Sequence, residues 1–445
     1  MSDDKPVAAD PLKREQARAE DKAALKLSLM GLAGASIEWY DFFIYGTAAA
    51  LVFPTVFFPA TMPPFVALIA SFSTFAVGFI ARPFGAVFFG HMGDRVGRKK
   101  TLVTALILMG VASTLIACLP SYHSAGVFAP LALVLLRVAQ GFAVGGQWGG
   151  AILIAIESAP AARRGLYGSI VQASVGVGVL LANLAFIVVS GATTPEAFIA
   201  YGWRIPFLLS ILLVGLGLFV NFRIEETLAF RQLQIPVGPS PGRSSPVLEA
   251  MRRYPGKILL AAGAFVSTNA IFYINTFYVV AYGTSATGLQ LPRSTMLGAI
   301  MIGTITAPLG FLAGAFSDRY GRRRIFMTGA ALMGVWAFIF FPLLETRSFL
   351  WITVAITVNS AFSQLTYGPL AAMFAELFDT RVRYSAVSLA YGIGAIVGGG
   401  LAPIIATGLY ARFHSTTWIA VYMAATCVLS LACVSRLRET ARADL

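Results

Sequence analysis

Charge is scarce in this chain. Of its 445 residues only 12% are Asp, Glu, Lys or Arg and 57% are hydrophobic, with a mean hydropathy of +0.76. A water-soluble protein of this length needs a wetted exterior, and so few polar side chains cannot supply one, so lipid is the natural solvent. Cysteine is nearly absent too. Cys118, Cys427 and Cys433 all fall inside apolar stretches, with neither metal-ligand spacing nor a disulfide framework. The three histidines, His91, His123 and His414, lie at the edges of such stretches and read as ordinary solvated residues. There is no HExxH, no phosphate-cradling P-loop and no nucleophile elbow, which speaks against an enzyme and against a metal or nucleotide cofactor. No cleavable leader is expected in the segment up to about Lys26, which is polar and mixed in charge, without an apolar h-region.

Acids are the rarer sign, 20 against 33 bases, for a net charge of +13. Such a balance can mean a nucleic-acid partner. Here the cations sit in short breaks between apolar runs, which is the topology signal of a membrane protein and not a basic binding face.

Apolar runs long enough to cross a bilayer as helices occur at 28–53, 65–90, 101–119, 127–150, 166–190 and 204–222, then at 257–282, 294–316, 325–343, 349–372, 385–409 and 415–435. The expected fold is an all-α membrane protein of twelve transmembrane helices in two six-helix bundles. The expected segments are a cytoplasmic tail at 1–27, bundles at 28–222 and 257–435, a central cytoplasmic loop at 223–256 and a second tail at 436–445. Lys and Arg concentrate in the tails, the 90–100 loop, the central loop and the 319–324 loop, with Arg163, Arg164, Arg381 and Arg383 on the same side. By the positive-inside rule that side is cytoplasmic, and an even helix count returns both termini to it.

The two halves share a loop. GHMGDRVGRKKTL, Gly90 to Leu102, returns as GAFSDRYGRRRIF, Gly314 to Phe326, so that Asp94, Arg95 and Arg98 correspond to Asp318, Arg319 and Arg322. Glu157 with Arg163 after the fourth run matches Glu376 with Arg381 after the tenth. These charges read as an ion-pair belt, with the aspartates held by arginines and helix N-termini. Such a belt would latch the bundles in one conformation and release them in another. Gly141, Gly145 and Gly149, Gly176 and Gly178, and Gly394 and Gly398 form small-residue faces that let helices approach closely in lipid.

Intramembrane charge is the best functional pointer in such a chain. Glu38 and Asp41, three apart in GASIEWYDFFIYG, share one face of the first helix. They read as proton carriers or ligands, or as a structural pair. Arg137 lies in LLRVAQGFAVGGQWGGA with Gln140, Val144 and Gln147 at helical spacing. It could clamp a substrate carboxylate in bidentate fashion or pair internally with Glu38 or Asp41. Arg82 reads as snorkelling or as part of the loop belt. The second half offers polar and aromatic groups in place of charge: Asn269, Tyr273 and Thr276, then Asn359, Ser363, Gln364 and Tyr367, then Tyr384, Ser388 and Tyr391. Tyr45, Gln172 and Asn183 complete the candidates from the first half.

The doubled G-x-x-x-D-R-x-G-R-[KR]-[KR] loop and the R-x-x-Q-G at Arg137 resemble signature motifs of the major facilitator superfamily. EWYDFFIYG, RPFGAVFFGHMGDRVGRKK, QGFAVGGQWGGA and YGWRIPF are similar to its metabolite:proton symporter branch. The resemblance implies proton-coupled symport of a small organic acid, shikimate-like or dicarboxylate-like, by a monomer in the cell inner membrane. It implies Glu38 and Asp41 as proton-linked acids, Arg137 as carboxylate anchor, and Asp94, Arg95, Arg98, Asp318, Arg319 and Arg322 as the gate. Gln147 stands where that branch usually has Glu, which moves coupling onto Glu38 or Asp41 or weakens it. An uncoupled facilitator is therefore one alternative. A proline/betaine-type carrier is another, disfavoured by the short tail after the last run. A transporter-like nutrient receptor is the reading from a different class.

Overall fold

The computed structural model describes residues 11–96, 98–145, 156, 159–223, 246–379 and 382–441. Gln147, Glu157 and Arg381 lie outside the described residues, as do the side chains of Asp94, Arg95 and Arg98.

Without water in the bilayer core, backbone groups must find partners within their own segment, so apolar runs become helices. Twelve helices are built this way: α1 (Pro11–Leu51), α2 (Pro64–Val96), α3 (Arg98–Ala117), α4 (Phe128–Val144), α5 (Arg164–Ala192), α6 (Arg204–Arg223), α7 (Pro255–Thr284), α8 (Arg293–Thr304 and Leu309–Tyr320, joined through a turn), α9 (Arg322–Glu345), α10 (Phe349–Glu376), α11 (Arg383–Phe413) and α12 (Thr417–Arg436). Eight of the described helices are long and apolar enough to cross a membrane, and no strand occurs among the described residues. α1 begins well before its apolar run, continuing the polar N-terminal segment as helix. A short extra helix, Pro246–Arg253, lies just before α7.

Small residues decide how closely the helices pack. α4 lies directly on α2: a Cβ at Gly141 would collide with the carbonyl of Gly78, one at Gly145 with that of Arg82, and one at Gly85 with that of Phe142. Between the halves, α5 packs on α8 and α10, α2 on α11, and α1 on α7. Gly165 and Gly314 meet backbone to backbone there, and a Cβ at Gly176 would stand 2.8 Å from the Ala307 methyl. The α8–α9 turn runs through Gly321 at φ +100°, a conformation costly for any residue with a Cβ.

Two helices are locally irregular where the halves face each other. α7 widens to a π-turn at Ile274–Tyr278 and α11 at Ala395–Gly400. Such turns shift side chains out of α-helical register and are common at functional sites.

Candidate functional site: a polar cavity between the halves

A polar cavity lies between the two halves, near the middle of the helices. Its walls come from α1 (Trp39), α5 (Gln172, Gly176), α7 (Thr268, Asn269, Phe272, Tyr273, Asn275, Thr276), α8 (Thr304, Ala307), α10 (Ser360, Ser363, Gln364, Tyr367) and α11 (Tyr391). The cavity is tight, about 60 Å³. Gln172 reaches across the interface and donates to the Tyr367 carbonyl at 3.4 Å. Asn275 donates to the Ser360 hydroxyl at 3.1 Å. The Gln172 carbonyl oxygen, the Asn269 amide nitrogen and the Asn275 carbonyl oxygen are buried without a hydrogen-bond partner among the described residues. Buried polar atoms left unpaired are costly, so a hydroxylated guest is favoured wherever it reaches them.

Among the described residues the lining carries no formal charge. Asp41 and Arg137 lie instead inside the N-terminal half. The Arg137 guanidinium is 1% exposed and is caged by the rings of Tyr45, Phe42 and Phe75, 4.1, 4.7 and 4.8 Å from its carbon. It donates to Gln140 at 3.2 Å, and Gln140 donates in turn to Ser113 at 2.8 Å. Its Nε and Nη2 have no acceptor among the described residues. Tyr45 donates to Thr74 at 2.7 Å, which fixes one wall of the cage. Asp41 is 2% exposed and, among the described residues, neither carboxylate oxygen has a partner in good geometry. The hydroxyls of Ser113 and Ser210 stand beside it, and Arg137 is its nearest opposite charge. A layer made by Phe42, Phe75, Phe79 and Tyr273, with ring centroids 5.0–6.1 Å apart, separates this compartment from the cavity.

Arg82 corrects the sequence expectation. It neither snorkels nor joins the loops; it is 9% exposed and packs on the rings of Phe42, Phe79 and Trp39 at 4.6, 4.7 and 5.8 Å. The aromatic residues hold the guanidinium by cation–π attraction on the inner side of α2. Glu38 faces its charge from α1.

The charged face is closed by a network across the halves. Arg322, fully buried, donates to both oxygens of Glu376 at 3.0 and 3.2 Å and to Ser317 at 2.7 Å, and pairs with Asp318 at 2.5 Å. Asp318 in turn accepts from the backbone N–H groups of Gly165 and Leu166 at 2.9 and 3.1 Å. These are orphan donors at the start of α5, where helix geometry and dipole both favour an anion. Arg319 takes no part in this network; it lies over Tyr320 at 5.5 Å. Arg163 pairs with Asp21 at 2.5 Å, tying the extended start of α1 to α5. At the opposite end Arg293 of α8 lies 4.6 Å over Phe198, and Phe65 packs on Tyr410 at 6.0 Å. Phe277 presses on Gly46. The halves thus touch at both ends with the cavity between.

Comparison with known proteins settles what class of machine this is. The family model for "Sugar (and other) transporter" matches residues 27–234, and that for "Major Facilitator Superfamily" matches residues 294–444. The shikimate transporter of Escherichia coli (strain K12) is 40% identical over 94% of this chain and 96% of that protein. The chain belongs to the major facilitator superfamily. The inner membrane metabolite transport protein YhjE of the same organism is 37% identical over 99% of this chain and all of that one. A proline/betaine transporter of Escherichia coli (strain K12) is 30% identical over 93% of this chain and 83% of its own length. Among solved structures, a D-xylose-proton symporter superposes with a TM-score of 0.73 at 19% identity, over 94% of this chain and 99% of that one. The partially occluded inward-open xylose transporter XylE from E. coli gives 0.72 at 16% identity, over 95% and 99%. The protein is therefore a multi-pass membrane transporter with the two-bundle major facilitator fold, and not an enzyme.

Within that superfamily fold, the residues singled out from sequence divide into groups. Gln172, Asn269, Tyr273, Gln364, Tyr367 and Tyr391 line the cavity. Arg137, Gln140, Tyr45 and Asp41 do not; they form the sealed compartment behind the aromatic layer. Asp318, Arg322 and Glu376 form the inter-half network. Trp39, Asn275, Thr268 and Ser360 line the cavity without having stood out in the sequence. For Asn275 the usable signal was its neighbour Thr276, since the π-turn brings both to one side.

Proposed function

We propose that this transporter couples protons to the movement of a small organic acid, shikimate-like or dicarboxylate-like, by alternating access. The observation that carries the reading is the enclosed cavity between the halves, neutral and rich in hydrogen-bonding groups, backed by a buried carboxylate–guanidinium pair. Amide and hydroxyl side chains from α5, α7, α10 and α11 suit a polyhydroxylated ring or chain. The 40% identity to a protein named as a shikimate transporter supports the same substrate class.

Proton coupling rests on Asp41. A carboxylate buried between two serine hydroxyls and Arg137 can be carried charged, balanced by the guanidinium, or neutral, donating to a hydroxyl. Switching between these states alters the packing of α1 on α3 and α6, and α1 also forms a cavity wall through Trp39. Glu38 is the second proton-linked acid. Asp318, Arg322 and Glu376 latch the cytoplasmic end, with Asp94, Arg95 and Arg98 as the counterpart from the first half. Gln147, Glu157 and Arg381, outside the described residues, keep the roles their motifs imply. Both termini and the 223–256 loop face the cytoplasm, and the carrier works as a monomer in the inner membrane without a nucleic-acid partner.

The test is substrate addition to lightly buffered cells expressing the protein. The medium turns alkaline with wild type and not with Asp41→Asn, while Asp41→Asn retains counterflow. Uptake indifferent to both a protonophore and Asp41→Asn would refute the coupling. The related proline/betaine transporter favours one second reading, a zwitterionic substrate; competition by betaine and not by organic acids would select it.

A further inference from the structure

A carboxylate substrate needs a cation, and among the described residues the cavity wall contains none. Arg137 is sealed behind the Phe42–Phe75–Phe79 layer, so it cannot touch a guest in this arrangement. A second guanidinium of the first half, that of Arg82, is also buried. Arg82 rests on Trp39, itself a wall residue, at 5.8 Å. Its charge reaches Tyr273, Tyr367 and Tyr391, three further wall residues from α7, α10 and α11. The next residue, Pro83, stands 3.9 Å from where a Cβ on Gly392 would be, directly beside Tyr391. The Arg82 Nε is buried with no acceptor among the described residues.

Pro83 and Gly85 explain why the side chain is here. Proline removes one helix hydrogen bond and Gly85 admits the backbone of α4, so α2 is drawn inward at this point. A guanidinium in so dry a place requires a balancing anion. Glu38 supplies one from α1. Arg137 is the other cation whose field reaches Arg82, and the aromatic layer stands between them.

We propose that Arg82 is the residue that takes the substrate's carboxylate at the edge of the cavity, with Glu38 as the internal anion whose place that carboxylate assumes. Gln172, Asn269, Asn275 and Gln364 then read the hydroxyl-bearing remainder of the same molecule. The inference rests on the organic-acid reading above and names the specificity-determining cation for it. Arginine suits the task because its planar fork binds both carboxylate oxygens at once, whereas lysine offers a point charge.

The experiment uses purified wild type, Arg82→Gln and Arg82→Lys, with shikimate and succinate each paired with its methyl ester, and with betaine and xylose as carboxylate-balanced and neutral probes. Binding is read by thermal shift and by calorimetry. The expected result is that wild type prefers the acid, that Arg82→Gln weakens the acid by about tenfold or more while leaving the ester unchanged, and that Arg82→Lys falls between. Retained ester binding also reports that the variants fold. Equal loss of acid and ester, or no loss of either, would overturn the proposal and leave Arg82 a packing residue. Wild type that binds betaine or xylose but no acid would overturn it too, while leaving the protein a transporter.

Discussion

Asp318→Asn is the sharpest probe of the latch. The carboxylate receives two backbone N–H groups of α5 at 2.9 and 3.1 Å and the Arg322 guanidinium at 2.5 Å. Only the first two cross between the halves. Each hydrogen bond to a charged acceptor is worth about 1.5–3 kcal/mol, against about 1 kcal/mol for a neutral one. Asparagine keeps one acceptor oxygen, loses the charge that the start of α5 favours and turns its amide N–H groups toward other donors. The closed charged face should therefore be weakened by about 1.4–2.8 kcal/mol, a ten- to hundredfold shift toward opening. Arg322 stays satisfied by Glu376, so the C-terminal half should remain folded. A cysteine at Ala371, buried at 3.4 Å from where a Gly168 Cβ would sit, reports the opening. In a background without Cys118, Cys427 and Cys433, its maleimide labelling should accelerate by about ten- to hundredfold in Asp318→Asn. Labelling at the wild-type rate would refute the latch.

Gly314→Val should jam the same face open, because Gly165 and Gly314 meet backbone to backbone; labelling at Ala371→Cys should rise and transport should stop with the protein still folded. Glu439 accepts from the Arg322 and Arg323 backbone N–H groups at 2.8 and 3.2 Å, capping α9; Glu439→Ala should cost about 0.5–2 kcal/mol, seen as a fall of a few degrees in Tm without loss of affinity. Gln172→Ala removes the 3.4 Å tie to Tyr367 and one open acceptor in the cavity; substrate affinity measured by calorimetry should fall about tenfold while Tm is little changed.

The sequence makes the helices, the duplicated loop and the polar faces of α7 and α10 readable, because each depends on local spacing or on the cost of charge in lipid. The residues of the Asp318–Arg322–Glu376 network stood out for that reason. Where the two buried guanidiniums of the first half sit is not readable in this way. Arg137 is shut in by Phe42 and Tyr45 of α1 and Phe75 of α2, and only the packing of three helices brings those rings together. Arg82 sits eight residues before Gly90, close enough to the charged loop for snorkelling to be the natural expectation; Trp39, Phe42 and Phe79 turn it inward instead. The aromatic residue at Phe79, one turn before Arg82 on the same helix face, was the one local hint.

Proteoliposomes that hold purified protein and a trapped pH dye test the central claim most directly. A gradient of the organic acid, shikimate or succinate, should drive proton entry with the acid in wild type, and Asp41→Asn should carry the acid without moving protons. Acid flux with no proton movement in wild type, or no flux of either acid, would contradict the account.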